Sequence, residues 1–320
     1  MRFVILSDTH FYTNGYGKSV VFWNRPLTAE IEDVIRDMVD GINEIHPDFV
    51  IHCGDLIDRC HRENYEYALD ILDKIHCPVY LAAGNHDSLE ECAKNEISRY
   101  YHLPDGQSYY SKKIEGYLFV FLDSSYWRKE DGTILSYRDQ NLYEAGLIKG
   151  LTIPDAEIDW LAEELEANKD KNVIIVSHAP LSSQNRYPVV SLPDGEYVDP
   201  AGTDLAGLMD RLLCGLDNSD KVLDVIKKHK NVKMVCSGHW HIHDAFVKDG
   251  IVFCQTASMR EYPFEMRIAE ETEDGILSVR TMGLDNEAYA RESYCTELGN
   301  SWVSGTQEAR EFIVDFHDGL

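Results

Sequence analysis

Lysine and arginine are scarce in this chain, 30 against 56 aspartates and glutamates in 320 residues, for a formal net charge of -26 with histidine neutral. A partner held by its phosphate backbone needs clustered cations to displace condensed counterions, so the balance argues against long nucleic acid and against a nuclease reading. Long apolar runs are missing too: none approaches the roughly 18 residues of a membrane span, so no membrane partner is expected. The opening run of residues 1–6 meets Asp8 at once. It is too short for a signal-peptide core, has no cleavage site behind it, and reads as a strand. The eight cysteines, Cys53, Cys60, Cys77, Cys92, Cys214, Cys236, Cys254 and Cys295, contain no CxxC pair, and several lie inside apolar runs. That pattern predicts reduced core thiols in a cytoplasmic protein. What is present is ample for a large α/β domain, since 44% of the residues are apolar, enough for a sizeable buried core.

Five short apolar runs end in polar, chemistry-bearing residues. Residues 2–7 run into Asp8-Thr9-His10, residues 48–53 into Gly54-Asp55-Leu56-Ile57-Asp58, and residues 79–83 into Gly84-Asn85-His86-Asp87. Residues 172–177 deliver His178-Ala179-Pro180, and residues 232–237 deliver Gly238-His239-Trp240-His241. Open α/β sheets place their chemistry at the carboxyl ends of such buried strands. Taken singly, each ending has an ordinary explanation: an Asp that caps a turn, a glycine that stops a strand, a histidine satisfied structurally. Five in one chain point to a shared site. A glycine lets the backbone turn sharply and bring Asp55 or Asn85 close to an ion. Alternate residues of an extended segment point opposite ways, so His239 and His241 reach one ion if their loop bends and two if it bends little.

Between these runs, helical spacing of Ile31, Val34, Ile35, Met38, Ile42 and Ile45 predicts an amphipathic helix over residues 27–46, ended by Pro47. Further helices are expected over 63–75, from Asp155, over 205–214 and over 219–229. Residues 109–114 and 117–122, joined at Gly116, read as a hairpin. Residues 125–151 and 181–217 are long polar stretches containing Tyr126, Trp127, Tyr137, Tyr143, Arg186, Tyr187, Tyr197 and Asp199; they are candidate pocket walls. Their aromatics have two readings, stacking on a substrate or packing the stretch down. Residues 243–247, 251–256, 265–269 and 276–281 read as a run of antiparallel strands, and residues 285–320 as a tail docked on the core by Trp302.

The ordered set Asp8-Thr9-His10, Gly54-Asp55-Leu56-Ile57-Asp58, Gly84-Asn85-His86-Asp87, His178 and Gly238-His239-Trp240-His241 resembles the motif series of the calcineurin-like metallophosphoesterases over residues 1–284. The resemblance implies an α/β fold, a four-layer α/β/β/α sandwich of two mixed β-sheets, with a dinuclear metal site at the strand-end loops. By motif position it places Asp8, His10, Asp55 and His241 on one metal and Asp55, Asn85, His178 and His239 on the other, with Asp55 bridging. A donor set of carboxylate, imidazole and amide without thiolate suits Mn, Fe or Zn. Two such ions can bind phosphoryl oxygens and hold a hydroxide between them as nucleophile. His86 resembles the histidine beside the phosphate, where it stabilises the transition state or protonates the leaving oxygen. Asp58 and Asp87 have two readings, carboxylates that orient the imidazoles or plain turn carboxylates.

Within that family the chain is similar to bacterial cyclic-nucleotide and glycerophosphodiester phosphodiesterases, which implies a small-molecule phosphodiester as substrate. The substrate-binding residues stay open, with Arg59, Arg186 and Arg260 as candidates for a second anionic contact. The alternatives are a phosphomonoesterase or protein phosphatase on the same core, and a non-catalytic scaffold. Scaffolds on this fold lose ligand residues, whereas all seven expected ligands and His86 are present here.

Overall fold

The computed structural model describes residues 1–13, 23–27, 29–91, 93–103, 106–184, 190–191, 197–198, 215–294 and 301–317. Along the chain, β1 (Arg2–Leu6) leads through α1 (Ile31–Ile45) to β2 (Phe49–His52), then through α2 (Arg62–Leu72) to β3 (Val79–Leu81). After α3 (Ala93–Tyr100) come β4 (Tyr110–Ile114) and β5 (Tyr117–Leu122). An inserted unit follows: β6 (Tyr126–Lys129), β7 (Ile134–Leu135), α4 (Gln140–Glu144) and β8 (Ile148–Thr152). Then α5 (Asp155–Ala167) precedes β9 (Asn172–Ser177), and β10 (Val190–Ser191) pairs with β11 (Tyr197–Val198). Next come α6 (Ser219–Ile226), β12 (Val232–Ser237), β13 (Asp244–Lys248), β14 (Ile251–Gln255), β15 (Glu265–Glu271) and β16 (Ile276–Gly283). The described chain closes with α7 (Ala288–Ser293), α8 (Gln307–Arg310) and β17 (Glu311–Asp315).

Two six-stranded mixed sheets result, ordered β17-β16-β15-β1-β2-β3 and β13-β14-β12-β9-β5-β4. The pleat explains the layers, because alternate residues of one strand feed different cores. In β1, Val4 and Leu6 face α1, packing with its Val34, Ile35, Met38 and Ile42. Phe3 and Ile5 point the other way and join Phe49, Phe119, Ile174, Val176 and Met234 between the sheets, where Phe3 stacks on Phe49 at 5.0 Å and meets Phe119 edge-on at 5.6 Å. On the far side of the second sheet, Leu118, Val120, Val173 and Val235 pack against Leu161 and Leu165 of α5 and Val222 and Ile226 of α6. The architecture is the four-layer α/β/β/α sandwich that the motif series implied. Cys53, Cys236 and Cys254 are free thiols in the inter-sheet core.

The structure departs from the sequence reading at several places. Helix α1 starts at Ile31 and not at residue 27, although Leu27 is still buried against it. The four late strands are not one antiparallel run: β15 and β16 join the first sheet, whereas β14 pairs parallel to β12, from Met234↔Val252 to Ser237↔Gln255, with β13 antiparallel outside it. Residues 125–151 are a small three-stranded sheet with a helix, and Trp127, Leu151 and Tyr143 pack into the outer core; for these aromatics the packing reading holds. The strand β17 was not anticipated at all; it extends the first sheet antiparallel to β16, and Val314 and Phe316 are buried between the sheets. The expected helix over 205–214, Arg186, Tyr187, Asp199, Cys92, Cys214, Cys295 and the Tyr197 side chain lie outside the described residues.

Candidate metal centre

The loops leaving β1 and β2 run side by side because their parent strands are in parallel register, Leu6 opposite His52. Past the strand ends the pairing goes on through the backbone. Asp8 N donates to Gly54 O at 3.1 Å, His10 N to Asp55 O at 3.0 Å, and Phe11 N to Leu56 O at 2.8 Å. Five predicted ligands sit in the left-handed region, Asp8, His10, Asp55, His239 and His241, with φ of 52°, 45°, 53°, 70° and 56°. Asp and His tolerate that region better than most residues, but it still costs on the order of 1 kcal/mol each, so the surrounding contacts must enforce it.

Glycine is required where neighbouring loops touch. A Cβ on Gly84 would lie 2.1 Å from Asp55 N, and one on Gly238 would lie 1.8 Å from Ser7 Oγ. At both positions the missing side chain lets one strand-end loop lie directly on another.

The seven predicted ligands converge from five strand ends. Donor atoms of Asp8, His10 and His241 lie within 4.8 Å of one another, as do those of Asp55, His178 and His239, and those of His10, Asp55 and His86. His241 Nε2 is 3.2 Å from His10 Nε2 and 3.4 Å from Asp8 Oδ1. His178 Nε2 is 3.0 Å from Asn85 Oδ1 and 3.2 Å from Asp55 Oδ2. Asp55 Oδ2 is also 3.8 Å from His10 Nε2, which links the two groups. The two neighbouring histidines thus diverge, His239 toward one group and His241 toward the other.

Buried partners decide which nitrogen each imidazole presents. His178 Nδ1 donates to the Cys53 carbonyl at 2.8 Å, and His241 Nδ1 donates to Glu261 Oε1 at 2.9 Å, so both turn Nε2 toward the cluster. Burial works against charging His178, yet Asp55 and then Asp8 push its pKa up to about 9. Burial likewise opposes charging His241, and Asp8 and Glu261 push it up to about 10. Conversely, burial favours neutral Asp8 and Asp55, but His241 and His178 respectively hold them well below the usual carboxylate range. His10 is driven well below its ordinary value by burial and by His86. Lone pairs and carboxylates crowded at 3.0–3.8 Å call for positive charge between them, supplied by protons or by metal ions. Hard oxygens with imidazoles and no thiolate fit the divalent or trivalent ions expected from the motifs.

His86 stands beside the cluster, its ring edge-on to His10 at 4.7 Å. Its backbone N–H donates to Asp55 Oδ1 at 2.8 Å, and its Nδ1 donates to the Asp58 carbonyl at 2.9 Å. The Asp58 carboxylate lies 3.6 Å from His86 Nδ1 and 3.9 Å from His10 Nδ1, beyond hydrogen-bond reach of either. Asp87 is not directed at an imidazole. Its oxygens accept the N–H groups of Gly84 at 2.9 Å, Ile57 at 3.1 Å and Leu56 at 3.4 Å, which staples two of the loops together. Sequence reasoning missed Glu261, which directs His241, and it missed Lys94. The Lys94 ammonium is buried on the Asp123 carboxylate at 2.7 Å and donates to Ser88 Oγ at 3.0 Å and Ser125 Oγ at 2.7 Å, anchoring the chain directly after Asp87.

Fold and donor set define a class, the α/β/β/α sandwich proteins with a candidate dinuclear metal centre on their strand-end loops. The profile of the calcineurin-like phosphoesterases matches residues 1–243, and the chain belongs to that family of enzymes. It is 25% identical over 212 residues to a probable cyclic nucleotide phosphodiesterase of Synechococcus sp., a match covering 65% of this chain and 62% of that protein, under two thirds of its length. It is 23% identical over 239 residues to the glycerophosphodiester phosphodiesterase GpdQ of Enterobacter lignolyticus, covering 74% of this chain and 69% of the relative. Among solved structures, a dimetal phosphatase from Danio rerio superposes with a TM-score of 0.64 at 18% identity, covering 88% of this chain and 96% of the other, a likeness of fold. No helix among the described residues is long and apolar enough to cross a membrane.

Proposed function

We propose that this chain is a metal-dependent phosphodiesterase acting on a small-molecule diester. The observation that carries the reading is the shared position of Asp55, whose Oδ2 faces both His178 at 3.2 Å and His10 at 3.8 Å. On this reading Asp8, His10, Asp55 and His241 hold one ion, and Asp55, Asn85, His178 and His239 hold the other. When bound, two such ions supply Lewis-acid polarisation of the phosphoryl oxygens and an activated water at neutral pH. The chain's own residues do the rest. The His86 N–H fixes the Asp55 carboxylate, and the Asp58 carbonyl holds the Nδ1 proton of the His86 ring, so that when both ring nitrogens carry protons Nε2 is the one able to protonate the leaving alkoxide.

Diester over monoester is supported by relatives whose names specify cyclic nucleotide and glycerophosphodiester substrates. Charge supports it too: a diester is a monoanion near neutral pH and is repelled less by a chain of net charge -26. The five cysteines among the described residues are free thiols, which supports the cytoplasmic placement.

The test compares kcat/KM for bis(p-nitrophenyl) phosphate and p-nitrophenyl phosphate on protein stripped of metal and reloaded with Mn²⁺. Diester preference is expected, and a clear monoester preference overturns the reading. Asp55→Ala should lose metal and activity together. His86→Ala should keep Mn²⁺ and lose about 10²–10⁴-fold in turnover; wild-type turnover in that variant would remove His86 from the mechanism.

A further inference from the structure

The His239–His243 loop is gripped from two sides. On one side, the Asp8 carboxylate accepts the His239 N–H at 3.0 and 3.2 Å, and Gly238 N donates to His178 O at 3.1 Å. These are contacts within the candidate centre itself. On the other side the partners come from residues 301–317, beyond the stretch the family profile matches. His243 N donates to Val303 O at 2.8 Å. Gly305, with φ +76°, lies so close that a Cβ there would stand 2.5 Å from His243 O. The Trp302 ring packs on Trp23 at 5.3 Å between centroids, and Trp23 Nε1 donates to Trp240 O at 2.7 Å. One residue further along, the buried Arg267 guanidinium joins Asp244 O at 3.3 Å to Ala309 O at 2.7 Å, and Arg310 closes the clasp on Glu265 with two bonds of 2.6 Å.

These contacts bracket His241 on the carbonyl of Trp240 and the backbone of His243 and Asp244. Both histidines hold left-handed backbone, φ 70° and 56°, a conformation that persists only where surrounding structure over-determines it. We infer that the C-terminal segment is a positioning clamp for this loop, with Trp302 and Gly305 as positioning residues that hold His239 and His241 in ligand geometry. The inference rests on the assignment of those two histidines as metal ligands.

The test is Mn²⁺ binding to the metal-stripped 320-residue chain, followed by competition with a chelating dye, with the thermal midpoint of the metal-free protein measured in parallel. Trp302→Ala and Gly305→Ala should each weaken Mn²⁺ uptake by about tenfold or more, in line with the usual cost of removing supports behind metal ligands. Trp302→Phe, which keeps a ring against Trp23, should recover most of that loss. Leu161→Ala, in the outer core of the second sheet, is the comparison: it should lower the thermal midpoint and leave Mn²⁺ affinity within about twofold. Wild-type affinity in both Trp302→Ala and Gly305→Ala overturns the clamp, as does an equal loss in Leu161→Ala. A wild-type chain that takes up no Mn²⁺ overturns the metal-centre reading itself, and the clamp with it.

Discussion

At the scale of single residues, Glu261 controls the site from outside the motif series. Its Oε1 holds the Nδ1 proton of His241 at 2.9 Å while Oε2 accepts the Asn24 N–H at 2.6 Å, so the carboxylate is fixed at both ends and fixes the imidazole in turn. A carboxylate behind a metal-binding histidine sets the tautomer and raises the basicity of the ligating nitrogen. Glu261→Gln should therefore fold normally and lose about 10–100-fold in Mn²⁺ affinity, read by titration of the stripped protein. Unchanged affinity would reduce Glu261 to a structural contact with Asn24. Nothing in the sequence singles this residue out. It is one of 56 acidic residues and follows no glycine-terminated strand, whereas the seven candidate ligands stand at the ends of apolar runs and announce themselves by position. Asp87 shows the limit of position: its place in the Gly84-Asn85-His86-Asp87 motif left open an imidazole-orienting carboxylate or a plain turn carboxylate, and the backbone N–H groups of Gly84, Ile57 and Leu56 that favour the second are invisible without the fold.

At the scale of elements, the first turn of α5 is plugged into the carboxyl end of β5 by an ionisable group. Glu157 Oε1 accepts the Asp123 N–H at 2.7 Å, and burial, reinforced by the Asp123 charge, pushes the Glu157 pKa well above its usual value. A carboxyl raised in the folded state contributes stability that is fully present below its unfolded pKa of about 4.5 and is lost as pH rises toward the folded value. Glu157→Gln keeps an oxygen for the Asp123 N–H and cannot ionise. Its thermal midpoint should match wild type near pH 4.5 and exceed it increasingly from pH 5 upward; parallel curves across that range would show that Glu157 does not carry the shift.

The elements themselves were unevenly legible. Strands β5, β9 and β12 are buried on both faces, so they read as unbroken apolar runs and were located to the residue. Strand β17 is an edge strand of five residues with only Val314 fully turned inward; a period of two over so short a span does not stand out from a polar tail. Its contribution is nonetheless to the core. Phe316→Ala should cost roughly 3–5 kcal/mol of unfolding free energy, the usual range for a buried phenylalanine, measured by chemical denaturation. A cost under about 1 kcal/mol would mean that the inter-sheet core closes without it.

At the scale of the whole molecule, two fields act on an arriving substrate, and they oppose one another. Two ions in the candidate centre would add roughly four positive charges at one place, while the chain carries a formal -26 spread over its surface. At about 10 mM salt the screening length is roughly 30 Å, comparable with the protein, so an anion approaching from bulk meets nearly the full negative sum. At about 100 mM it shrinks to roughly 10 Å, the distant carboxylates drop out, and the local positive charge is what remains. If diffusional encounter contributes to the rate, kcat/KM for bis(p-nitrophenyl) phosphate should rise severalfold between those two salt concentrations. For p-nitrophenyl phosphate, with close to two negative charges, the rise should be steeper. The measurement needs only the Mn²⁺-loaded enzyme and a series in an indifferent salt. A kcat/KM that falls with salt for both esters would mean that the local charge already dominates at long range, and that the acidic surface plays no part in choosing between diester and monoester.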